Sequence, residues 1–266
     1  MSTSLRSSES AGDLLRKWRQ HRRLSQLDLS IQADISSRHL SFVETGRSAP
    51  SRDMVLHLAE QLDLPLRERN KLLIAAGYAP LYPENALDTA PMAAIRTAVR
   101  QVLTGHQPYP ALAVDRHWNI VDANAGLAVL VEGVAPELLA PPANALLASL
   151  HPDGMAPHII NLGEWRAHLL DRLRRQVEQT ADPQLAELYA QLVALPCDDP
   201  EPTVEYPGPG AVVIPLRLRH PAGELAFFST VTTFGTPLDV TVAELAIEAF
   251  FPADDATTAI LRTALG

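Results

Sequence analysis

The sequence contains little cysteine and no long apolar run. Cys197 is the only cysteine among 266 residues, so the chain forms no internal disulfide and suits a reducing compartment. No stretch approaches the roughly 18 consecutive apolar residues typical of a membrane-spanning helix. The opening residues MSTSLRSSES also lack the apolar segment of a signal peptide. We therefore expect a cytoplasmic protein that does not associate with a membrane.

The motifs of common enzymes are also missing. The sequence has no HExxH or CxxC element, no Gly-rich phosphate loop and no GxSxG turn. The nearest approach to a metal-ligand cluster is His151, His158, Glu164 and His168, which do not supply three or four ligands at tight spacing. Cys197 lies in an acidic, proline-bounded loop that disfavours a thiolate. We expect no catalytic activity, no metal and no obligatory cofactor.

Charge is distributed unevenly along the chain. The net charge is −9, but residues 1–80 carry 12 Lys and Arg against 9 Asp and Glu. Residues 81–266 carry 10 basic residues against 22 acidic ones. This asymmetry is expected when one small module meets phosphate and the other does not.

Helical periodicity and proline placement divide the chain. Residues 12–76 have helical periodicity throughout, whereas the segment APLYPENALDTAP has three prolines in thirteen residues. After it, helical stretches alternate with strand-like segments such as Glu224–Thr233 and a strand predicted over Ala211–Arg219. We predict an all-α N-terminal domain over 1–78, a linker over 79–91 and an α+β domain over 92–266.

The most informative short pattern is LSQLDLSIQADISSRHLSFVETG, which ends at Gly46. Ser25 and Asp28 have the spacing of a capping box, which predicts a helix starting at residue 26. Asp34 occupies a sharp turn and tolerates a left-handed conformation better than most residues. Ser36 caps the next helix, and the glycine ends it. Two short helices joined by a short turn form a helix-turn-helix unit.

Three further helices are expected around this unit. The stretch Leu14–Arg23 is basic on one side, Ser51 begins a helix with an apolar stripe, and Leu66–Ala75 forms the last helix before Gly77. Five short helices within about 65 residues predict a compact bundle.

The spacing of these elements resembles the phage-repressor (Cro or Xre) class of helix-turn-helix domains. The residues that carry the resemblance are Gln26, Ser36, Ser37, Arg38, Leu40, Val43, Glu44 and Gly46. The resemblance implies that Gln26 braces a DNA phosphate, and that Ser37, Arg38 and Phe42 face the major groove. It also implies that Arg19 pairs with Glu44 and belongs to the DNA-binding residues through a phosphate contact, and that Arg47 contacts the DNA backbone.

The side-chain chemistry agrees with this assignment. Arg38 can bind guanine O6 and N7 with two hydrogen bonds, and Phe42 offers an apolar face to a thymine methyl group. Ser36 and Ser37 can donate to a phosphate or a base edge. The sequence departs from the wider class at Phe42, where a polar residue is usual, and at Asp34, which replaces a turn glycine.

The C-terminal half resembles a second known family. The hairpin PALAVDRHWNIVDANAG looks like the first hairpin of a PAS-like sensor fold. The stretches HPDGMAPHIINLGEWRAHLLDRLRRQ and FFSTVTTFGTPLDVTVAELAIEAFFPAD are similar to the ligand-binding region of MmyB-like transcription regulators. That resemblance implies a PAS-like α+β domain that holds an apolar, fatty-acid-like small molecule.

An α+β sensor domain makes its pocket between the sheet and the helices. Arg166 or Arg172 could pair with the carboxylate of an acyl ligand. The basic run around Arg172 is equally consistent with a solvated helix face, and the aromatic residues with an ordinary core. The candidate lining residues are Trp118, Trp165, Leu169, Phe227 and Phe234.

Together these features predict a homodimeric regulator of transcription that binds double-stranded DNA and responds to an apolar small molecule. Two copies would place their recognition helices in successive major grooves, roughly 34 Å apart. The alternative is a DNA-binding protein whose C-terminal domain serves dimerisation or protein interaction without a ligand. A third interpretation, an RNA-binding or antitoxin-like N-terminal part, fits the large second domain less well.

Overall fold

The computed structural model describes residues 9–199 and 214–265, and their contacts divide the chain into two compact units. The first unit contains the residues up to Glu84 together with Leu238–Val240, and the second contains Asn85–Pro237 and the residues from Thr241 onward. The boundary between Glu84 and Asn85 lies inside the segment 79–91 that was predicted as a linker.

The first unit is built from helices, each with a defined start. Serines cap the first four through side-chain oxygens that accept the backbone N–H three residues later. The capping box predicted at Ser25 and Asp28 is present. The fifth helix begins after Pro65, whose ring presets φ. The helices are α1 (Ala11–His21), α2 (Gln26–Gln32), α3 (Ser37–Glu44), α4 (Arg52–Gln61) and α5 (Leu66–Ala75).

The turn between α2 and α3 has the backbone conformation predicted for it. Asp34 adopts φ 51°, in the left-handed region. Gly46 follows α3 with φ 71°, which a glycine adopts without steric cost. Helix α2 ends at Gln32, and the backbone N–H of its C-cap residue, Ala33, donates to Leu29 O. The helical class predicted for this unit is confirmed.

One apolar core joins the five helices. It includes Leu15, Leu29, Leu40, Val55 and Leu73, one from each helix and all fully buried. The spacing of these residues at helical intervals explains why the sequence pattern identified the bundle.

The second unit contains a five-stranded antiparallel sheet. The strand order is β2-β1-β5-β4-β3, so the last strand in sequence lies at the centre. The α+β class predicted for this half is confirmed. The expected strand over Ala211–Arg219 begins within residues 200–213, which lie outside the described residues. The strands are β1 (Ala111–Val114), β2 (Ile120–Ala123), β3 (Leu216–His220), β4 (Gly223–Thr233) and β5 (Ala246–Pro252).

Helices cover both faces of this sheet. Along β1, Leu112 and Val114 point into the larger core, whereas Ala111 and Ala113 belong to a smaller cluster with the helix that precedes the strand. The helices of this half are α6 (Ala93–Gly105), α7 (Pro136–Leu139), α8 (Ala145–Leu150), α9 (Leu162–Thr180), α10 (Pro183–Val193), α11 (Val240–Ala243) and α12 (Asp255–Leu265).

Asn124 fixes the place where β2 ends. Its side-chain oxygen accepts from Ala111 N at 3.0 Å, and its amide donates to Leu103 O and Tyr109 O. A short 3-10 helix, Ala125–Val129, follows it. The buried amide thus ties the hairpin to α6. Across the described ranges, no helix is both long enough and apolar enough to cross a bilayer.

Candidate functional site

A buried ion pair fixes α3 against α1. Arg19 Nε lies 2.7 Å from Glu44 Oε1, and Arg19 Nη2 lies 3.0 Å from Glu44 Oε2. The Glu44 side chain is fully buried, and Gln26 Nε2 also donates to its Oε2 at 2.8 Å. The pairing of Arg19 with Glu44 that the Xre-like resemblance implied is therefore present.

The same contacts keep Glu44 ionised. Burial alone would raise the pKa of Glu44, but hydrogen bonds from Arg19 and Gln26 outweigh it and lower the pKa below its ordinary value. Arg19 responds in the opposite sense, because its hydrogen bond to Glu44 raises its pKa. The pair is charged at neutral pH, and α3 is held by a charge-assisted contact rather than by apolar packing alone.

Helices α1 and α3 also approach closely at Gly12. A β-carbon at this position would lie 2.6 Å from the carbonyl oxygen of Val43 and 2.7 Å from that of Glu44. Arg16 Nη2 donates to the same Glu44 carbonyl at 2.9 Å. The C-terminal end of α3 thus rests directly on α1, which fixes the angle at which α3 presents its outer face.

The outer face of α3 carries a cationic and aromatic cluster. Arg38 and Arg47 are exposed, and Phe42 lies half-buried between them. The guanidinium carbons of Arg38 and Arg47 lie 5.3 Å and 5.9 Å from the centre of the Phe42 ring. These distances are within cation–π range. We call Arg38, Phe42 and Arg47 the α3 cluster.

Both serines at the start of α3 have partners within the protein. Ser36 Oγ accepts from His39 N at 3.1 Å, so Ser36 caps α3 as predicted. Ser37 Oγ lies 2.9 Å from Ser30 Oγ, and Ser30 is buried in α2. Contacts of these two side chains with DNA stay a prediction.

Gln26 has a partner within the protein as well. Its side-chain amide donates one N–H to Glu44 Oε2, and the amide nitrogen carries a second N–H, so the phosphate contact that the resemblance implies stays a prediction. The first backbone N–H groups of α2 have no intrahelical acceptor, as at any helix start.

Two residues of the outer face were not selected from the sequence. Ser41 is half-buried, and Thr45 is exposed with its hydroxyl donating to Ser41 O at 2.7 Å. Both follow Arg38 at helical intervals of three and seven residues, which is the signal that could have identified them.

The second unit contains a partly open apolar cavity between the sheet and helices α8 and α9. Its volume is about 50 Å³. Leucines, isoleucine, valine, methionine and aromatic rings form most of the wall, and Ser149 and Glu248 supply its polar groups. The lining residues are Leu112, Ile120, Leu127, Leu130, Val131, Ala145, Leu146, Ala148, Ser149, Met155, Trp165, Leu169, Leu216, Glu248 and Phe250.

The aromatic and leucine residues predicted for this pocket divide into three groups. Trp165 and Leu169 line the cavity. Trp118 and Phe227 belong to the same core but do not form the cavity wall. Phe234 follows the end of β4 at Thr233, packs with the smaller cluster on the other side of the sheet and does not line this cavity. The spacing of aromatic residues along the chain does not show which side of the sheet such a residue will join.

The two candidate arginines also have different surroundings. Arg166 Nη2 donates to Val193 O at 2.8 Å and does not line the cavity. Arg172 Nη1 lies 3.1 Å from Glu248 Oε1, and its guanidinium carbon lies 4.3 Å from the centre of the Trp118 ring. Neither arginine presents a charge to the cavity. Glu248 was missed because its partner lies 76 residues away in sequence.

His168 lies beside this ion pair on α9. Burial lowers its pKa, and the nearby charge of Arg172 lowers it further, although Glu248 acts in the opposite direction. The imidazole is therefore neutral at pH 7.

A second, more polar cavity of about 230 Å³ lies beside the edge strand β3. Its wall includes Glu132, His158, Arg219 and His220, and His220 Nε2 lies 3.3 Å from Glu132 Oε2. It is larger than the apolar cavity, but it lies at a sheet edge and not between the sheet and α9. Within residues 9–199 and 214–265, no three His, Cys, Asp or Glu side chains converge as a metal site.

The helix-turn-helix geometry and the sheet-enclosed cavity define a DNA-binding regulator with a ligand-binding domain. Comparison with known families agrees: residues 10–72 match a helix-turn-helix domain, and residues 95–264 match the MmyB-like transcription regulator ligand binding domain. The second match spans more than half of the chain. The chain belongs to the MmyB-like transcription regulators.

Individual relatives are more distant. A protein of Methanoculleus marisnigri, named as an HTH-type transcriptional regulatory protein, is 34% identical over 111 residues. The match covers 40% of this chain and 35% of the relative, so the chain spans about a third of that protein's length. A solved structure of an RNA-binding light-oxygen-voltage receptor matches with 13% identity and a TM-score of 0.25, over 97% of this chain and 62% of the other. A similarity at that level carries no argument about function.

Proposed function

We propose that this transcription regulator acts in the cytoplasm as a homodimer that binds a two-fold-related site in double-stranded DNA. An apolar small molecule held in the second unit would change its affinity for that site, and the chain would have no catalytic activity. The observation that carries the DNA-binding part is the α3 cluster, exposed on a helix whose orientation is fixed by the buried Arg19–Glu44 pair.

The α3 cluster has the chemistry needed for readout in the major groove. Arg38 can bind a guanine edge with two hydrogen bonds, and the Phe42 ring can contact a thymine methyl group. Arg47 follows the end of α3, where a cation can approach a phosphate. Gln26 donates one of its two amide N–H groups to Glu44, and the other can donate to a phosphate.

The cavity supports the effector part of the proposal. It lies between sheet and helices, its wall is mainly apolar, and Trp165 and Leu169 form part of that wall. A ligand can change DNA affinity only if it binds two arrangements of the protein with different affinity. A fatty acid chain is larger than about 50 Å³, so its entry requires side chains of the wall to move.

The DNA-binding proposal is tested by measuring affinity for single-base variants of a selected site. Arg38→Ala should cost about 1–3 kcal/mol and relax the preference at one base pair. Lys71→Ala is a matched control, because it removes one exposed positive charge from α5, away from α3. Arg38→Ala protein that retains every base preference would refute the assignment.

The small volume of the cavity also favours a second candidate, in which the C-terminal domain is an assembly module without a ligand. Mass spectrometry of an organic extract of purified protein separates the two. A molecule that co-purifies in stoichiometric amount supports the effector proposal. Extracts that hold none, over several preparations, support the assembly module.

A further inference from the structure

We propose that the cavity of about 230 Å³ beside β3, the polar cavity, binds a free α-amino acid with an apolar side chain. The wall would hold the ammonium and the carboxylate of this ligand at the same time. The site goes beyond the function proposed above, because the polar cavity is a separate space from the apolar one. Among the described residues, Leu130 is the one that lines both.

Part of the wall of the polar cavity is apolar. Leu130, Leu218 and Leu225 are buried leucines of the larger core, and Val129 is half-buried against that core. The volume of about 230 Å³ has room for roughly eight water molecules at about 30 Å³ each. A single amino acid of the size of leucine fills a space of this order.

Glu132 supplies a carboxylate whose histidine partner is neutral. Ala222 N donates to His220 Nδ1 at 3.1 Å, so this imidazole carries its proton on Nε2, which lies 3.3 Å from Glu132 Oε2. A neutral imidazole leaves the negative charge of Glu132 uncompensated. Among the described residues, His220 is the partner that reaches this carboxylate. The carboxylate therefore retains acceptor capacity for a ligand ammonium.

Arg219 supplies a cation at the same cavity. It is exposed on the edge strand, and its Nη1 donates to Pro157 O at 3.2 Å. Among the described residues, no acidic side chain pairs with it. A guanidinium has five N–H donors, so Arg219 retains donors for a carboxylate, which a guanidinium can bind with two parallel hydrogen bonds.

The segments that carry these opposite charges meet at His158. This histidine follows Pro157, the acceptor of the Arg219 hydrogen bond, and it also lines the cavity. A β-carbon at Gly133 would lie 3.1 Å from His158 Nε2, so the imidazole packs against the glycine that follows Glu132. Gly133 adopts φ 81°, which a glycine adopts without steric cost.

Together these charges favour a zwitterion. A simple carboxylate would be attracted by Arg219 but repelled by Glu132, and a simple amine would be attracted by Glu132 but repelled by Arg219. A free amino acid brings an opposite charge to each of them. Its apolar side chain then covers the leucines of the wall and removes their surface from water.

Equilibrium dialysis of the full-length protein with isotopically labelled leucine at pH 7 tests the site. Two competitors separate the charges: 4-methylpentanoate lacks the ammonium group of leucine, and 3-methylbutan-1-amine lacks its carboxylate. We expect unlabelled leucine to displace the label at concentrations about tenfold to a hundredfold lower than either analogue. Displacement of the label reports on the leucine site alone, even if an analogue also enters the apolar cavity.

Two variants assign the charges of the wall. Arg219→Gln and Glu132→Gln should each weaken leucine binding by about tenfold or more. Arg217→Gln is the matched control, because Arg217 is exposed on the same strand, pairs with Glu224 and does not line the cavity. Its affinity for leucine should equal that of the wild type. Circular dichroism establishes that each variant is folded.

Any of three results would overturn this inference. The first is an absence of leucine binding at a concentration of about 10 mM, which corresponds to an affinity too weak for a site with two ionic contacts. The second is displacement of the label by both analogues as effectively as by leucine. The third is an equal loss of affinity in folded Arg217→Gln and Arg219→Gln protein. Each of them leaves the DNA-binding proposal standing, because DNA affinity is measured separately.

Discussion

Removing the Arg19 side chain should destabilise the first unit far more than removing its neighbour Arg16. In Arg19→Met, Glu44 loses two hydrogen bonds of 2.7 and 3.0 Å and stays fully buried. Gln26 and the more distant Arg16 remain near it, so part of its stabilisation persists. Breaking a buried ion pair on one side costs about 3–5 kcal/mol, and we expect about 3 kcal/mol here.

Native-state hydrogen exchange of the full-length protein measures this loss locally, without assuming that the two units unfold together. A loss of about 3 kcal/mol corresponds to roughly a hundredfold faster exchange of amides in α1 and α3. Arg16→Met is the matched control. Its side chain is 40% exposed, its Nε lies 3.7 Å from Glu44 Oε2 and its Nη2 donates to the Glu44 carbonyl, so its loss should cost about 1 kcal/mol or less.

The reasoning would be refuted if the two variants accelerated exchange equally. A double variant, Arg19→Met with Glu44→Leu, gives a further check, because it removes both charges and leaves no buried charge unpaired. We expect it to exchange more slowly than Arg19→Met alone. Faster exchange in the double variant would show that the apolar volume, and not the charge balance, controls this contact.

Two further predictions concern the same region. Gly12→Ala would place a β-carbon within 2.7 Å of two carbonyl oxygens of α3, so we expect a loss of about 1–3 kcal/mol and weaker DNA binding. A β-carbon at Gly105 would have no atom within 4 Å, so Gly105→Ala should leave the free energy of unfolding unchanged or raise it. Equal effects of the two substitutions in urea unfolding would contradict the packing argument. Because the pKa of Glu44 is lowered by folding, its stabilisation is present above its ordinary pKa of about 4.3 and is lost as the pH falls through the folded value. Urea unfolding measures the free energy of unfolding at pH 7 and near pH 3.5. This free energy should fall less between the two pH values in Glu44→Gln than in the wild type. An equal decrease in both proteins would refute the role of Glu44 ionisation.

Local signals explain why the first unit was predictable. Ser25 and Asp28 determine a helix start within four residues, and Asp34 and Gly46 set turns through their own backbone preferences. Helix α5 spans the predicted residues, Leu66–Ala75. Helix α1 runs from Ala11 to His21 and not over the predicted Leu14–Arg23, because Ser10 caps it at an earlier residue. The pairing of Arg19 with Glu44 came from the family resemblance, since nothing in the local sequence connects residues 25 positions apart.

The surroundings of several candidate residues depend on contacts that local sequence patterns do not show. Ser37 begins α3, and Ser30 of the preceding helix shares a hydrogen bond with its hydroxyl. Phe234 follows the end of β4 at Thr233 and packs with the smaller cluster on the other face of the sheet. Glu248 was not selected, although an acidic residue within an apolar strand is a detectable signal, because its role depends on a helix far away in sequence.

The α3 cluster has a consequence for the kinetics of binding. A free arginine on a helix surface samples many rotamers and loses that freedom when it meets a partner, at a cost of up to about 2 kcal/mol. In this chain Arg38 and Arg47 already rest on the Phe42 ring, which narrows their range before any duplex arrives. Fewer rotamer changes of these arginines are therefore needed to convert the encounter complex to the bound complex. Replacing Phe42 with an aliphatic residue should slow formation of the bound complex, although the charge stays the same.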